Sequence, residues 1–158
     1  VSAVTEPTGE FIRRRQVSGT TLATMRTVLD YAEAGVQVLD EPAAAGGGGS
    51  GPTPLQSVLG ALCGCEAVTF RRTATEFDFI YERVDFEAAC TIDIRGRSGD
   101  RSVRPHFQTV KMQATVTTEE PQARLDELVE EVHARCPVMN LMKDAGVRLD
   151  IRWVAVTP

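Results

Sequence analysis

Residues Pro54–Phe70 read PLQSVLGALCGCEAVTF. Leu55, Val58, Leu59 and Leu62 recur at helical spacing, and Ala61, Ala67, Val68 and Phe70 leave little polar surface around them. Gln56, Ser57, Glu66 and Thr69 are the side chains that ask for water or a partner. A helix apolar on nearly every side is wrapped by other structure rather than laid on a surface. The stretch therefore predicts a central helix holding Cys65 in a dry place. Thr53 and Pro54 supply an N-cap and a first-turn proline, a sound start. Arg71–Glu76 should carry the helix on by a turn or more.

Immediately upstream lies DEPAAAGGGGSGPTP, Asp40–Pro54. Four consecutive glycines suit a flexible tether between domains. About 40 preceding residues are too few for a stable domain, however. A loop passing close to other backbone is the better expectation. Before it, Thr20–Asp30 reads as a strand with Arg26 projecting from it, and Gly35–Leu39 as a second. Residues 1–19 read as a polar segment with an ill-ordered end, and residues 20–158 as a single domain.

Downstream, Phe86–Arg95 and Pro105–Thr118 read as strands, the second carrying one register change near Thr109. GRSGD at Gly96–Asp100 joins them as a hairpin. Glu119–Arg135 shows the i, i+3, i+4, i+7 stripe of Leu125, Leu128, Val129 and Val132. CPVMNLMKDAG follows as a short helix, with Cys136 at the N-cap, Pro137 at N1 and Gly146 as the stop. Val147–Val156 alternates as a closing strand. Strands and helices in this order make an α+β protein.

The chain has 158 residues, 42% of them apolar and 25% charged, with a net charge of −5. That balance argues against a nucleic-acid or acidic-membrane binder, which needs basic surface; Arg13–Arg15 is too small a patch. No apolar run is long enough to span a bilayer. The first residues lack signal-peptide character. Four irregularly spaced cysteines do not form a secreted disulfide framework, so a cytoplasmic protein with reduced or cycling thiols is expected. No CxxC or HxxxH pair supports zinc, and no phosphate-binding glycine motif supports a nucleotide, so no metal or cofactor is expected.

Two thiols stand out. Cys136 at a helix start faces unpaired N–H groups and the positive dipole end, which favour thiolate, and His133 would add to this if protonated. It is equally suited to being a small apolar cap. Cys65 on a buried helix is ordinarily core and needs a nearby cation to react. Cys63 points away from Cys65 on a continuous helix, so the two pair only if the helix breaks at Gly64.

Two segments together resemble the OsmC/Ohr family of thiol-dependent hydroperoxide reductases. In DEPAAAGGGGSGPTPLQSVLGALCGC a glycine-rich loop precedes a Thr-Pro helix start, and Cys65 lies eleven residues after Pro54. HARCPVMNLMKDAG is similar to the family's His-x-x-Cys-Pro segment. The resemblance implies an OsmC-like fold, with β-sheets around a long buried helix, in an intertwined homodimer. It implies a peroxidase in which Cys65 becomes a sulfenate and closes a Cys65–Cys136 disulfide. An apolar hydroperoxide is then the substrate and an external dithiol the reductant. Arg26 is the candidate for the family's activating arginine. The family's glutamate after the helix-start proline is replaced by Leu55, followed by Gln56, which marks a divergent branch; Gln56, Cys63 and His133 are candidate accessory residues. The departure leaves two other functions in view: cysteine-based sulfur or thiol transfer, including conversion of a specialised metabolite, and a non-catalytic dimer that binds small molecules.

Overall fold

A computed structural model describes residues 4–158; the extreme N-terminal end expected to be ill-ordered, residues 1–3, lies outside them. The chain forms two compact units, Val1–Pro54 and Leu55–Pro158. In the first, β1 (Ser18–Thr21), β2 (Thr27–Asp30) and β3 (Val36–Leu39) make an antiparallel sheet in the order β1-β2-β3. The single strand expected over Thr20–Asp30 is therefore two strands. Leu22–Arg26 turns the chain between them, held by the Thr21 hydroxyl, which reaches the carbonyls of Thr24 and Arg26. Arg26 lies in that turn, exposed, rather than projecting from a strand.

The glycine-rich stretch is an ordered loop built on one carboxylate. Asp40, 1% exposed, accepts hydrogen bonds from the backbone N–H groups of Glu41, Gly48 and Ser50 and from the Ser50 hydroxyl, at 2.8–3.1 Å. The Ser50 bonds, more than any other cause, hold this carboxyl below its ordinary value. A β-carbon on Gly47 would collide with the Glu41 carbonyl, and one on Gly51 with the Val38 carbonyl. The loop passes against backbone, as the glycines lead one to expect.

The second unit opens with α1, Pro54–Glu76, continuous through Gly64. Leu62, Glu66, Phe70, Thr73 and Ala74 form its buried side. The opposite side is open: Val58 is 43% and Val68 53% exposed, and β-carbons on Gly60 and Gly64 would meet empty space. Helix α1 is thus covered on one side by its own chain, and the wrapping expected on every side is not completed within it.

Strands β4 (Arg83–Ile92), β5 (Phe107–Thr117) and β6 (Arg148–Val156) form the second sheet, in the order β4-β5-β6. β4 and β5 pair antiparallel, joined through a short helix, α2 (Ile94–Arg97). Thr91 pairs with Thr109 but Ile92 with Phe107, so Gln108 is the extra residue of a bulge. The bulge reconciles buried Phe107 and Val110, three residues apart, with one face, where a regular strand would send them to opposite sides. This is the register change expected near Thr109. β6 runs parallel to β5, which requires a crossover. Helices α3 (Gln122–Arg135) and α4 (Pro137–Asp144) provide it. The Gln122 amide donates to the Trp153 carbonyl and accepts from the Ala155 N–H, pairing with β6 as a strand would.

Two apolar clusters fill this unit. One joins Phe70, Ala114, Val116, Leu125, Leu128, Val132 and Trp153, with Phe70 stacked on Trp153 at 4.7 Å between centroids. The other joins Leu62, Phe107, Val110, Met112, Cys136, Met139 and Met142. Among the described residues, no helix is long and apolar enough to cross a membrane.

Candidate active site

Leu62 and Phe70, one turn on either side of Glu66 along α1, belong to the two different clusters. Glu66 therefore sits at their seam, and it is 0% exposed. Cys136 lies opposite, also 0% exposed, as the last residue of α3's turn and the cap of α4. Its N–H donates to the Val132 carbonyl at 2.9 Å. Asn140 clasps the junction: its side-chain amide donates to the carbonyls of His133 and Cys136, both at 2.9 Å, and its N–H donates to Cys136. Asn140→Ala removes these side-chain bonds, together with a longer one to the Ala134 carbonyl, and should lower stability by about 1–3 kcal/mol. Asn140→Asp, which cannot donate, should do at least as much; thermal melts check both.

Cys65 and Cys136, distant in sequence, come together. Cys65 packs against the cluster containing Cys136, and the two thiols interact. All four cysteines are free thiols. Cys63 borders the same cluster, its thiol pushed up by burial despite a compensating backbone bond. Gln56 is exposed near the start of α1. Leu55 packs into the cluster, so the position that carries glutamate in the hydroperoxidases here lines the apolar wall.

Of the two readings of Cys136, the electrostatics favour the small apolar cap over the thiolate. Burial first, and then the facing Glu66 carboxyl, push the thiol well above its ordinary value; a Met139 backbone N–H opposes this without winning. Two or three N–H groups at a short helix offer less than full desolvation takes away. Burial also lowers the His133 pKa, which disfavours the positive charge that the cap reading called on. Its Nε2 lies 3.9 Å from Glu66 Oε2, and its side chain is 31% exposed.

Glu66 is the residue that sequence reasoning passed over. Neither carboxyl oxygen has a hydrogen-bond partner at bonding geometry among the described residues, and the same holds for His133 Nε2. Burial raises the Glu66 pKa, only partly offset by the Cys136 thiol. A single acidic residue within CGCEAVTF was the available signal; its inward direction came from Leu62 and Phe70 at i−4 and i+4. With the folded value above the unfolded 4.5, the native state binds the extra proton. Stability is then greatest below that value and falls as pH rises through it towards the folded value. His133, with its value depressed below 6.5, pulls the other way, costing stability as pH falls through 6.5. Glu66→Met should remove the first slope alone and raise stability at neutral pH by about 1–3 kcal/mol; denaturant titrations across pH check it.

Among the described residues, no three His, Cys, Asp or Glu side chains are arranged to hold a metal ion. The chemistry available is that of two neighbouring thiols, a buried carboxyl and an imidazole. Residues 47–152 match the family model described as OsmC-like protein. The chain belongs to the OsmC-like family. Its fold is that family's α+β fold. An OsmC-like protein from Mycoplasma pneumoniae superposes with a TM-score of 0.76 at 14% identity, covering 92% of this chain and 97% of that one. An organic hydroperoxide resistance protein OsmC from Legionella pneumophila gives 0.71 at 16% identity, covering 92% and 99%. The organic hydroperoxide resistance protein OhrB of Bacillus subtilis gives 0.62 at 15% identity, covering 91% and 98%. Among curated proteins, no sequence matches this OsmC-like chain.

Proposed function

We propose that this OsmC-like protein is a thiol-dependent peroxidase acting on organic hydroperoxides. The observation supporting this reading is the meeting of the Cys65 and Cys136 thiols in one apolar cluster. The Cys65 thiolate attacks the peroxide's terminal oxygen and the O–O bond breaks. The alcohol leaves with a proton, and Cys65 becomes a sulfenic acid. Cys136 then displaces the hydroxyl as water and closes the disulfide. An external dithiol restores both thiols by exchange and is itself oxidised. Leu55, Leu59 and Met139 in the cluster favour apolar peroxides over hydrogen peroxide. The open face of α1, with Gly60, Gly64, Val58 and Val68, suits burial against a second copy in a homodimer. Arg26 is the candidate cation for Cys65, and Arg26→Gln should then slow the first oxidation without altering disulfide closure.

The decisive experiment is consumption of cumene hydroperoxide with a dithiol present. Saturable turnover is expected, and peroxide loss no faster than with dithiol alone would sink the reading. Leu55 in the place of glutamate gives specific support to a second reading, thiol or sulfur transfer. A persulfide or substrate adduct on Cys65 or Cys136 by intact mass, with no peroxide turnover, would favour it.

A further inference from the structure

We propose that Glu66 and His133 form a proton relay between the buried Cys136 thiol and solvent, with Glu66 as the base that frees Cys136 to attack. The proposal deepens the peroxidase reading, on which its use in catalysis rests, but its chemistry can be tested without peroxide.

Cys136 has no route of its own to water, being fully buried. For it to become a nucleophile, its proton must move to a group beside it. Glu66 faces the thiol and is equally buried, and neither of its oxygens is committed to a structural hydrogen bond among the described residues. A purely structural carboxyl would be expected to have partners, because an unpaired buried one costs stability. Beyond Glu66 stands His133 Nε2, 3.9 Å away and likewise without a partner among the described residues. The imidazole is the member of the series that reaches solvent. The groups facing Glu66 are thus Cys136 from the α3–α4 junction, His133 from α3 and Cys63 from its own helix. The sheet contributes Cys90 to the cluster around Cys136.

In disulfide closure Cys136 S–H attacks Cys65 S–OH. The S–S bond forms and the S–O bond breaks, while the thiol proton passes to Glu66. A proton returned along the same line meets the departing hydroxide, so water leaves and the relay is reset. Glu66 takes the proton of the reacting thiol and is a catalytic residue in this scheme; His133 acts through Glu66.

The test replaces the sulfenic acid by a mixed disulfide. In a Cys63→Ser/Cys90→Ser background, one equivalent of dithiobis(nitrobenzoate) loads Cys65 and releases one nitrothiolate. Attack by Cys136 releases a second, whose rate is read optically against pH. The rate should rise with pH and level off as Glu66 ionises. Glu66→Gln should slow the second release by about 100-fold, leave loading of Cys65 unchanged, and move the rise to alkaline pH, where the thiol must ionise unaided. His133→Gln, a change at a partly exposed side chain, tests the outer step even if Glu66→Gln folds poorly; about tenfold slower release is expected. A second release within threefold of wild type in either variant, with the same pH profile, overturns the relay, as does a parent protein that releases no second nitrothiolate. Loss of peroxide turnover with intact second release would instead count against the peroxidase reading alone.

Discussion

Under the proposed peroxidase function, Cys65→Ser should lower hydroperoxide turnover by about three orders of magnitude or more, while Cys136→Ser should permit one equivalent of peroxide to react and then stop. A serine hydroxyl beside the same apolar wall is not ionised at neutral pH and cannot hold the oxygen as a sulfenic acid, so the first step is lost altogether. Without Cys136, the first oxidation proceeds but the sulfenic acid has no neighbour to condense with. It should persist long enough to be trapped by a diketone reagent, and excess peroxide should carry it on to the sulfinic state, seen as a further mass increase. Sustained turnover by Cys136→Ser would show that the reductant itself resolves Cys65. Full turnover by Cys65→Ser would remove that thiol from the reaction.

Gly47→Ala and Gly51→Ala should each destabilise the native state by about 3 kcal/mol, near the upper end for inserting atoms into filled space. The obstruction in both cases is a backbone carbonyl, Glu41 for one and Val38 for the other, and backbone cannot swing aside as a flexible side chain does. Gly47 and Gly51 flank the bonds that bring Gly48 and Ser50 to the Asp40 carboxylate, so the loop must open to relieve either clash. In a protein of this size the loss should lower the melting temperature by about 10 °C. Gly49→Ala, where a β-carbon would meet nothing within 4 Å, separates steric from conformational cost. Its positive φ of 65° should cost about 1 kcal/mol.

The contrast between these two sites shows what the sequence could reveal. Helix α1, the bulge beside Thr109 and the cap formed by Cys136 and Pro137 were legible, because each depends on spacing within a few residues. The turn at Leu22–Arg26 was not, since TTLATMRTVLD contains no glycine or proline and its hydroxyl-to-carbonyl bonds leave no compositional mark. The electrostatic character of Cys136 stayed open in the sequence for a related reason. A helix start is visible in sequence, whereas desolvation by Phe107, Met112 and their neighbours is a product of packing. Glu66 combines both problems: the letter was seen, but its seat between two clusters was not. Asn140 reads in sequence as one residue of a short helix, and in the structure it is that helix's clasp.

The parallel alignment of β6 with β5 has a consequence for assembly. Parallel neighbours cannot be joined by a tight turn, so the crossover bearing His133, Cys136 and Asn140 is anchored only when the last strand docks. Cys65 belongs to a helix completed much earlier in the chain. The meeting of Cys65 and Cys136 is therefore a late product of folding, created by long-range contacts rather than by either helix alone. A nascent or partly unfolded chain would carry the same four sulfurs as ordinary, unassociated thiols.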